Sequence, residues 1–186
     1  MNIVPTSLAG VVILEPRKFE DARGFFVETW HREKLAQGGV DVDFVQENQS
    51  LSRQAGTVRG LHCQLAPHAQ AKLVRVVRGA VFDVAVDVRP GSRTYGKWTG
   101  ALLSAENMRQ LFIPTGFLHG FVTREPDTEV VYKCSDFYAP AHERSVRFDD
   151  PDIGIDWGID ASKAILSDKD AKALTLAQFA TEKVTT

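Results

Sequence analysis

The stretch KLVRVVRGAVFDVAVDV (72–88) constrains this chain more than any other. It is two β-branched runs punctuated by Arg78-Gly79, and β-branched side chains suit a pleated, half-buried surface. The spacing predicts two strands joined by a tight hairpin at Arg78-Gly79. In the second run Phe82, Val84, Val86 and Val88 share one face, while Asp83 and Asp87 share the other with Val81 and Ala85. Carboxylates alternating onto a partly apolar face predict a strand that lines a polar cavity.

Similar runs recur along the chain. GVVILEP, GFFVETW and FVQENQSLS read as strands, with a short helix near 31–37 ending at Gly38-Gly39. KWTGALLS, RQLFIP, HGFVT and TEVVYKCSDFY add more strands, set apart by the PGSRTYG loop and a turn bracketed by Pro114 and Gly116. DDPDIGIDWG reads as irregular, and SDKDAKALTLAQFATEK as a helix within a helical C-terminal segment of about 161–183. Ser167 is its candidate N-cap, with Asp170 three residues on as in a capping box. Many short strands with only small helices predict an all-β fold. The expectation is a jelly-roll (cupin-like) barrel with small peripheral helices, a single domain over residues 1–186.

Composition narrows the function. With 44% hydrophobic and 25% charged residues the chain reads as an ordinary soluble globular protein. A formal net charge of −2 gives no basic footprint, so no nucleic-acid partner is expected, although a local phosphate pocket remains open. Neither an apolar leader nor a membrane-length apolar run stands out, so no membrane partner is expected. The two cysteines, Cys63 and Cys134, are too few for a disulfide framework or zinc cluster, and read as small buried thiols. A cytoplasmic location fits.

RGLHCQ (59–64) raises the chemical question, because His62 reads as a metal ligand, a proton carrier or a core histidine. Metal-binding barrels of the cupin type use two histidines and a glutamate on one strand pair and a later third histidine. PTGFLHG supplies the later one, His119, but Gln64 stands where the second would be, and Lys72 where the glutamate would be. An ammonium has no lone pair and repels a cation, so no metal and no cofactor are expected, and the cavity should take an anion. Acid–base chemistry is left. A histidine, lysine and tyrosine that converge make a carbon-acid site, with base, enolate-stabilising cation and acid. His62, Lys72 and Tyr132 have such roles open to them, and equally ordinary ones as strand residues with polar tips.

Taken in order, DARGFFVE (21–28), FVQENQSLS (44–52), GTVRGLHCQ (56–64), QAKLVRVVRGAVFDVAVDVRPGS (70–92), IPTGFLHGF (113–121), VVYKCSDFY (130–138), DDPDIGIDW (149–157) and LSDKD (166–170) resemble the dTDP-4-dehydrorhamnose 3,5-epimerase family. The resemblance runs from about residue 10 to about 170. It implies a jelly-roll homodimer without metal that inverts C3 and C5 of dTDP-4-dehydro-6-deoxy-D-glucose beside its C4 ketone. It makes His62 the base and Asp170 its orienting carboxylate, a role that helix capping alone would also explain. Lys72 would face the enolate oxygen and Tyr132 would be the acid, with Asp83 in reserve as a partner for Lys72 or His62. Arg59 and Arg23 are the diphosphate candidates; His119 borders the sugar and Tyr138 offers a stacking face. Phe26, Glu28 and Gln46 would reach thymidine, partly from the neighbouring subunit. Glu47 is expected to point away from the diphosphate. A relative that inverts only C3 or only C5 shares these residues and is the alternative reading. A metal-dependent oxygenase is opposed by Gln64 and Lys72, and a sugar-binding module would not need the four catalytic candidates.

Overall fold

The computed structural model describes residues 1–181. Its strands are β1 (Asn2–Pro5), β2 (Val12–Glu15), β3 (Lys18–Asp21), β4 (Gly24–Val27), β5 (Gln46–Ser52), β6 (Val58–Gln64), β7 (Lys72–Arg78), β8 (Ala80–Asp87), β9 (Trp98–Ser104), β10 (Gln110–Ile113), β11 (Phe117–Thr123), β12 (Thr128–Cys134) and β13 (Glu143–Ser145). Three short α-helices accompany them: α1 (Arg32–Gln37), α2 (Asp168–Ala171) and α3 (Leu176–Thr181). One sheet has the order β1-β2-β10-β7-β12-β5 and the other β13-β6-β11-β8-β9, while β3 and β4 form an outlying hairpin. This is the all-β, cupin-like jelly roll expected, with the helices at its edge.

Two apolar layers hold it together. Between the sheets, Val74, Val76, Leu111 and Val130 meet Val81, Ala85, Leu103, Phe117 and Phe121. Behind the smaller sheet, Val84, Val86, Leu118 and Val122 are covered by Val146, Phe148, Ile153, Trp157 and Leu176 of the C-terminal quarter. Each such side chain fully buried stabilises the fold by roughly 1.5–3 kcal/mol before chain entropy is counted. Irregular as it is, the stretch after β13 is therefore anchored, and Trp157 Nε1 donates to the Phe148 carbonyl at 2.7 Å. A backbone bridge from Thr57 to Ile165 ties it to the barrel, and Val146, bonded to the Leu61 backbone, bridges Leu174 in turn.

The hairpin expected at Arg78-Gly79 does not form. β7 pairs with β10 and β12, and β8 with β11 and β9, so the two runs belong to different sheets. Only Gly79 separates them, too short a connection to close an antiparallel pair, and it turns the corner at φ +75°. Thr128 packs so closely that a Cβ on Gly79 would lie 2.4 Å from its hydroxyl oxygen. β8 is buried on both faces, which a hairpin on a sheet edge would not provide.

The single C-terminal helix is also corrected. Ser167 caps as expected, accepting from the Asp170 amide at 3.1 Å, but α2 ends at Ala171. The chain straightens to let Leu174 bridge Val146, and α3 starts under another cap, this one reciprocal. There Thr175 Oγ1 accepts from the Gln178 amide at 3.2 Å, and Gln178 Oε1 from the Thr175 amide at 2.8 Å. Residues 182–183 of the expected segment lie outside the described residues.

Candidate active site

Strand alternation places the site. On β6, Leu61 and Cys63 point into the outer layer, which leaves His62 and Gln64 on the inner face. Lys72 shares the inner face of β7 with Val74 and Val76, and Tyr132 shares that of β12 with Val130. On β11, His119 lies between the inward rings of Phe117 and Phe121. Register sets His119 opposite His62, and the two strands approach closely where Gly60 meets Gly120. A Cβ on Gly60 would sit 2.5 Å from the Gly120 Cα, so that contact requires glycine.

These side chains surround one cavity of about 350 Å³, lined by Ser50, Arg59, His62, Lys72, His119, Tyr132, Lys169 and Asp170 among others. A smaller cavity of about 80 Å³ shares His62, Lys72 and Tyr132 and adds Gln46, Asn48, Gln64, Tyr138 and Glu143. His62 stands on the smaller sheet and Lys72 and Tyr132 on the larger, so they reach the cavity from opposite walls. The Lys72 ammonium lies 5.9 Å from the centre of the Tyr132 ring.

His62 Nε2 is 2.5 Å from Asp170 Oδ1, a contact across 108 residues of sequence. Asp170 is buried behind the ring. Burial works to raise its carboxyl, but the His62 ring, Ser167 and the Gly60 backbone outweigh it and hold it below the ordinary carboxylate range. Burial pushes the Lys72 ammonium down, against the attraction of Cys134, Cys63, Glu143 and Asp83. The Tyr132 phenol is pushed up, chiefly by burial, and so keeps its proton at neutral pH.

Family comparison agrees with this architecture. The family described as dTDP-4-dehydrorhamnose 3,5-epimerase matches residues 5–178. A relative of that name from Sinorhizobium fredii is 51% identical over 173 residues, covering 93% of this chain and 88% of its own. The chain belongs to the dTDP-4-dehydrorhamnose 3,5-epimerase family. A Bacillus anthracis dTDP-4-dehydrorhamnose 3,5-epimerase solved with TDP and PPi superposes with a TM-score of 0.91 at 44% identity, covering 94% of this chain and 99% of that one. A Legionella pneumophila dTDP-6-deoxy-D-glucose-3,5-epimerase in complex with dTDP-4-keto-L-rhamnose gives 0.90 at 45% identity, covering 95% and 93%.

Within this epimerase fold the expected residues divide. His62, Lys72, Tyr132, Asp170, Arg59 and His119 converge on the larger cavity, and Gln46 and Tyr138 on the smaller. Arg59 is steadied by Ser52 Oγ at 3.1 Å and the Leu51 carbonyl at 3.1 Å. Arg23, Phe26 and Glu28 do not line either cavity of their own chain. Arg23 pairs with Asp21, Glu28 with Lys34, and Phe26 is 69% exposed on the outlying hairpin. Asp83, held in reserve for His62 or Lys72, instead pairs with His119, with 2.9 Å from Oδ2 to Nε2. Asp87, expected to line a cavity, is corrected to an anchor for the following loop. Arg89, Ser92 and Thr94 all donate to its buried carboxylate, which lies far below the ordinary range. Glu47 points outward to Lys133, 2.6 Å away, as expected.

The sequence reading missed Ser50, Asn48, Glu143 and Lys169. The first two had a signal: Gln46, Asn48, Ser50 and Ser52 alternate as one wholly polar strand face. Glu143 had none, because its carboxylate meets Lys169 and the Tyr138 hydroxyl only in the fold. Among the described residues, no three His, Cys, Asp or Glu side chains gather to hold a metal ion.

Proposed function

We propose that His62, oriented by Asp170, is the base of a 3,5-epimerase that converts dTDP-4-dehydro-6-deoxy-D-glucose to dTDP-4-dehydro-L-rhamnose. A carboxylate held below its ordinary range accepts from Nε2–H, which leaves the lone pair of His62 on Nδ1. Nδ1 takes the proton from the carbon beside the C4 ketone, and the C–H electron pair moves into the carbonyl to give an enolate. The Lys72 ammonium stabilises the enolate oxygen. Tyr132 then delivers a proton to the opposite face of the same carbon, and the enolate collapses to the ketone with that centre inverted. Once His62 has released its proton to solvent and Tyr132 has regained one, repetition at the second acidic carbon inverts both. Arg59 suits the diphosphate, since its guanidinium fork pairs with adjacent oxygens, and His119 borders the sugar. The observation that carries this reading is the approach of base and acid to one cavity from opposite sheets.

No metal is needed. Lys72 is a cation where a ligand would stand, and the Gln64 amide is engaged with backbone groups. The whole chain would act as one domain, in the cytoplasm; no helix among the described residues is long and apolar enough to cross a membrane. The working unit is a homodimer in which Arg23, Phe26 and Glu28 complete the partner's nucleotide pocket. Exposed Phe19, Phe25 and Phe26 on the β3–β4 hairpin support that reading. Mixed dimers of Arg23→Ala and His62→Ala subunits should regain part of the activity; mixed dimers as inactive as their parents would rule the shared site out.

Incubation with the keto sugar nucleotide in deuterated water tests the chemistry. Label is expected at both C3 and C5, whereas label at one carbon alone would make the enzyme a single-centre epimerase. Tyr132→Phe should still exchange deuterium while losing inversion by about 10²–10⁴-fold, the usual worth of a positioned acid. Inversion at the parental rate would show that the acid lies elsewhere.

A further inference from the structure

Residues 136–139 carry two large exposed rings, Phe137 and Tyr138, between the end of β12 and the short turn that leads to β13. The segment belongs to no strand, and exposed backbone of this kind ordinarily turns to water. Here its own Asp136, barrel side chains and Gln70 of the preceding loop catch it group by group. The Phe137 amide donates to Asp136 Oδ1 at 2.8 Å and the Tyr138 amide to Gln46 Oε1 at 2.9 Å. The Ala139 amide donates to Gln64 Oε1 at 2.9 Å. Gln70 Nε2 donates to the Asp136 carbonyl at 2.7 Å.

Gln64 is the centre of this suspension. It is 5% exposed and shares the inner face of β6 with His62. Besides accepting from Ala139, its Nε2 donates to the Phe137 carbonyl at 3.2 Å and to the His68 carbonyl at 2.6 Å. One buried amide therefore brackets Tyr138 on both sides and ties the segment to the 65–70 loop.

We propose that Gln64 is a positioning residue that holds Tyr138 at the wall of the smaller cavity for the aromatic base of the nucleoside-diphosphate substrate. The inference rests on the epimerase reading above and adds to it. The position that would carry a metal-binding histidine in a cupin-type metal site is used here to order an aromatic surface. A ring fixed before binding spares the substrate the cost of ordering it, so the effect belongs in binding rather than in chemistry.

Gln64→Met keeps length and apolar bulk and removes every arm of the amide, whereas Gln64→Glu keeps the acceptor for Ala139 and loses the donors. Steady-state kinetics, the Kd for dTDP and amide hydrogen exchange of each protein form the test. Gln64→Met should raise both KM and the dTDP Kd by about tenfold, with kcat within about threefold of the parent. Amides of 137–139 should exchange faster while those of β6 and β11 keep their protection, and Gln64→Glu, whose carboxylate would face the Phe137 and His68 carbonyls, should be no better. Parental exchange and parental dTDP affinity in Gln64→Met would overturn the proposal. So would a joint loss of kcat and of barrel-wide protection, which would make Gln64 a core residue. If the unmodified protein binds dTDP but leaves the keto sugar unchanged, the epimerase reading fails, and the dTDP affinities and exchange rates still decide the role of Gln64.

Discussion

His62 and His119 stand opposite each other on β6 and β11, yet their carboxylates come from different levels of the structure. Asp83 reaches His119 from the adjoining strand β8, and the pair is almost wholly buried, with Asp83 0% and His119 8% exposed. Asp170 reaches His62 from α2, outside both sheets, and leaves the His62 ring 25% exposed. The first pair follows from sheet register alone and is as rigid as the sheet. The second exists only once the C-terminal quarter has docked on the back of the smaller sheet. The base proposed at His62 must also trade its proton with solvent, which its more exposed ring favours over that of His119. The same two residue types thus meet once through sheet register and once through a docked helix.

Substitutions at the two histidines should break this comparison if it is wrong. His62→Ala is expected to lower kcat by about 10²–10⁴-fold. Asp170→Asn removes a charge-assisted bond and should cost about ten- to a hundredfold in kcat. His119→Asn should act mainly on KM; a loss in kcat equal to that of His62→Ala would erase the distinction.

Denaturant unfolding should reverse the ranking. Asp83→Ala leaves the buried His119 ring without its hydrogen-bond partner and should destabilise by about 1–3 kcal/mol. Asp170→Ala, at the edge of the barrel, should cost clearly less. Equal losses would mean that the C-terminal quarter is as integral as the sheets.

The smallest effect is in pH dependence. If the Lys72 ammonium acts as proposed, its depressed folded value should bring the alkaline limb of kcat below the ordinary lysine value of about 10.4. Between the depressed and ordinary values the unfolded chain binds the proton that the folded chain has shed, so the contribution of Lys72 to stability rises with pH there. Asp170 is depressed too, and its contribution is present above the ordinary aspartate value of about 3.9 and lost as pH falls through the folded one. Removing Asp170 should therefore flatten the acid side and leave the alkaline limb in place. An alkaline limb at the ordinary lysine value would show that Lys72 is not held by burial.

Period-2 alternation in the sequence determined the strands and the inward faces that carry His62, Lys72, Asp83 and Tyr132, because side-chain direction in a strand is a local property. Local chemistry likewise determined the Ser167 cap at the start of α2. Gln64 and Lys72 argued against metal from residue type alone. Partnership was decided only by the tertiary structure. Gly79 sent two adjacent runs into different sheets, Asp83 went to His119 instead of His62 or Lys72, and Asp87 went to its own loop. Glu143 found Lys169 and Tyr138, and Asp170 found His62 across 108 residues. Such pairings depend on which apolar faces bury each other over the whole chain, a sum of many weak contacts that no short stretch of residues encodes.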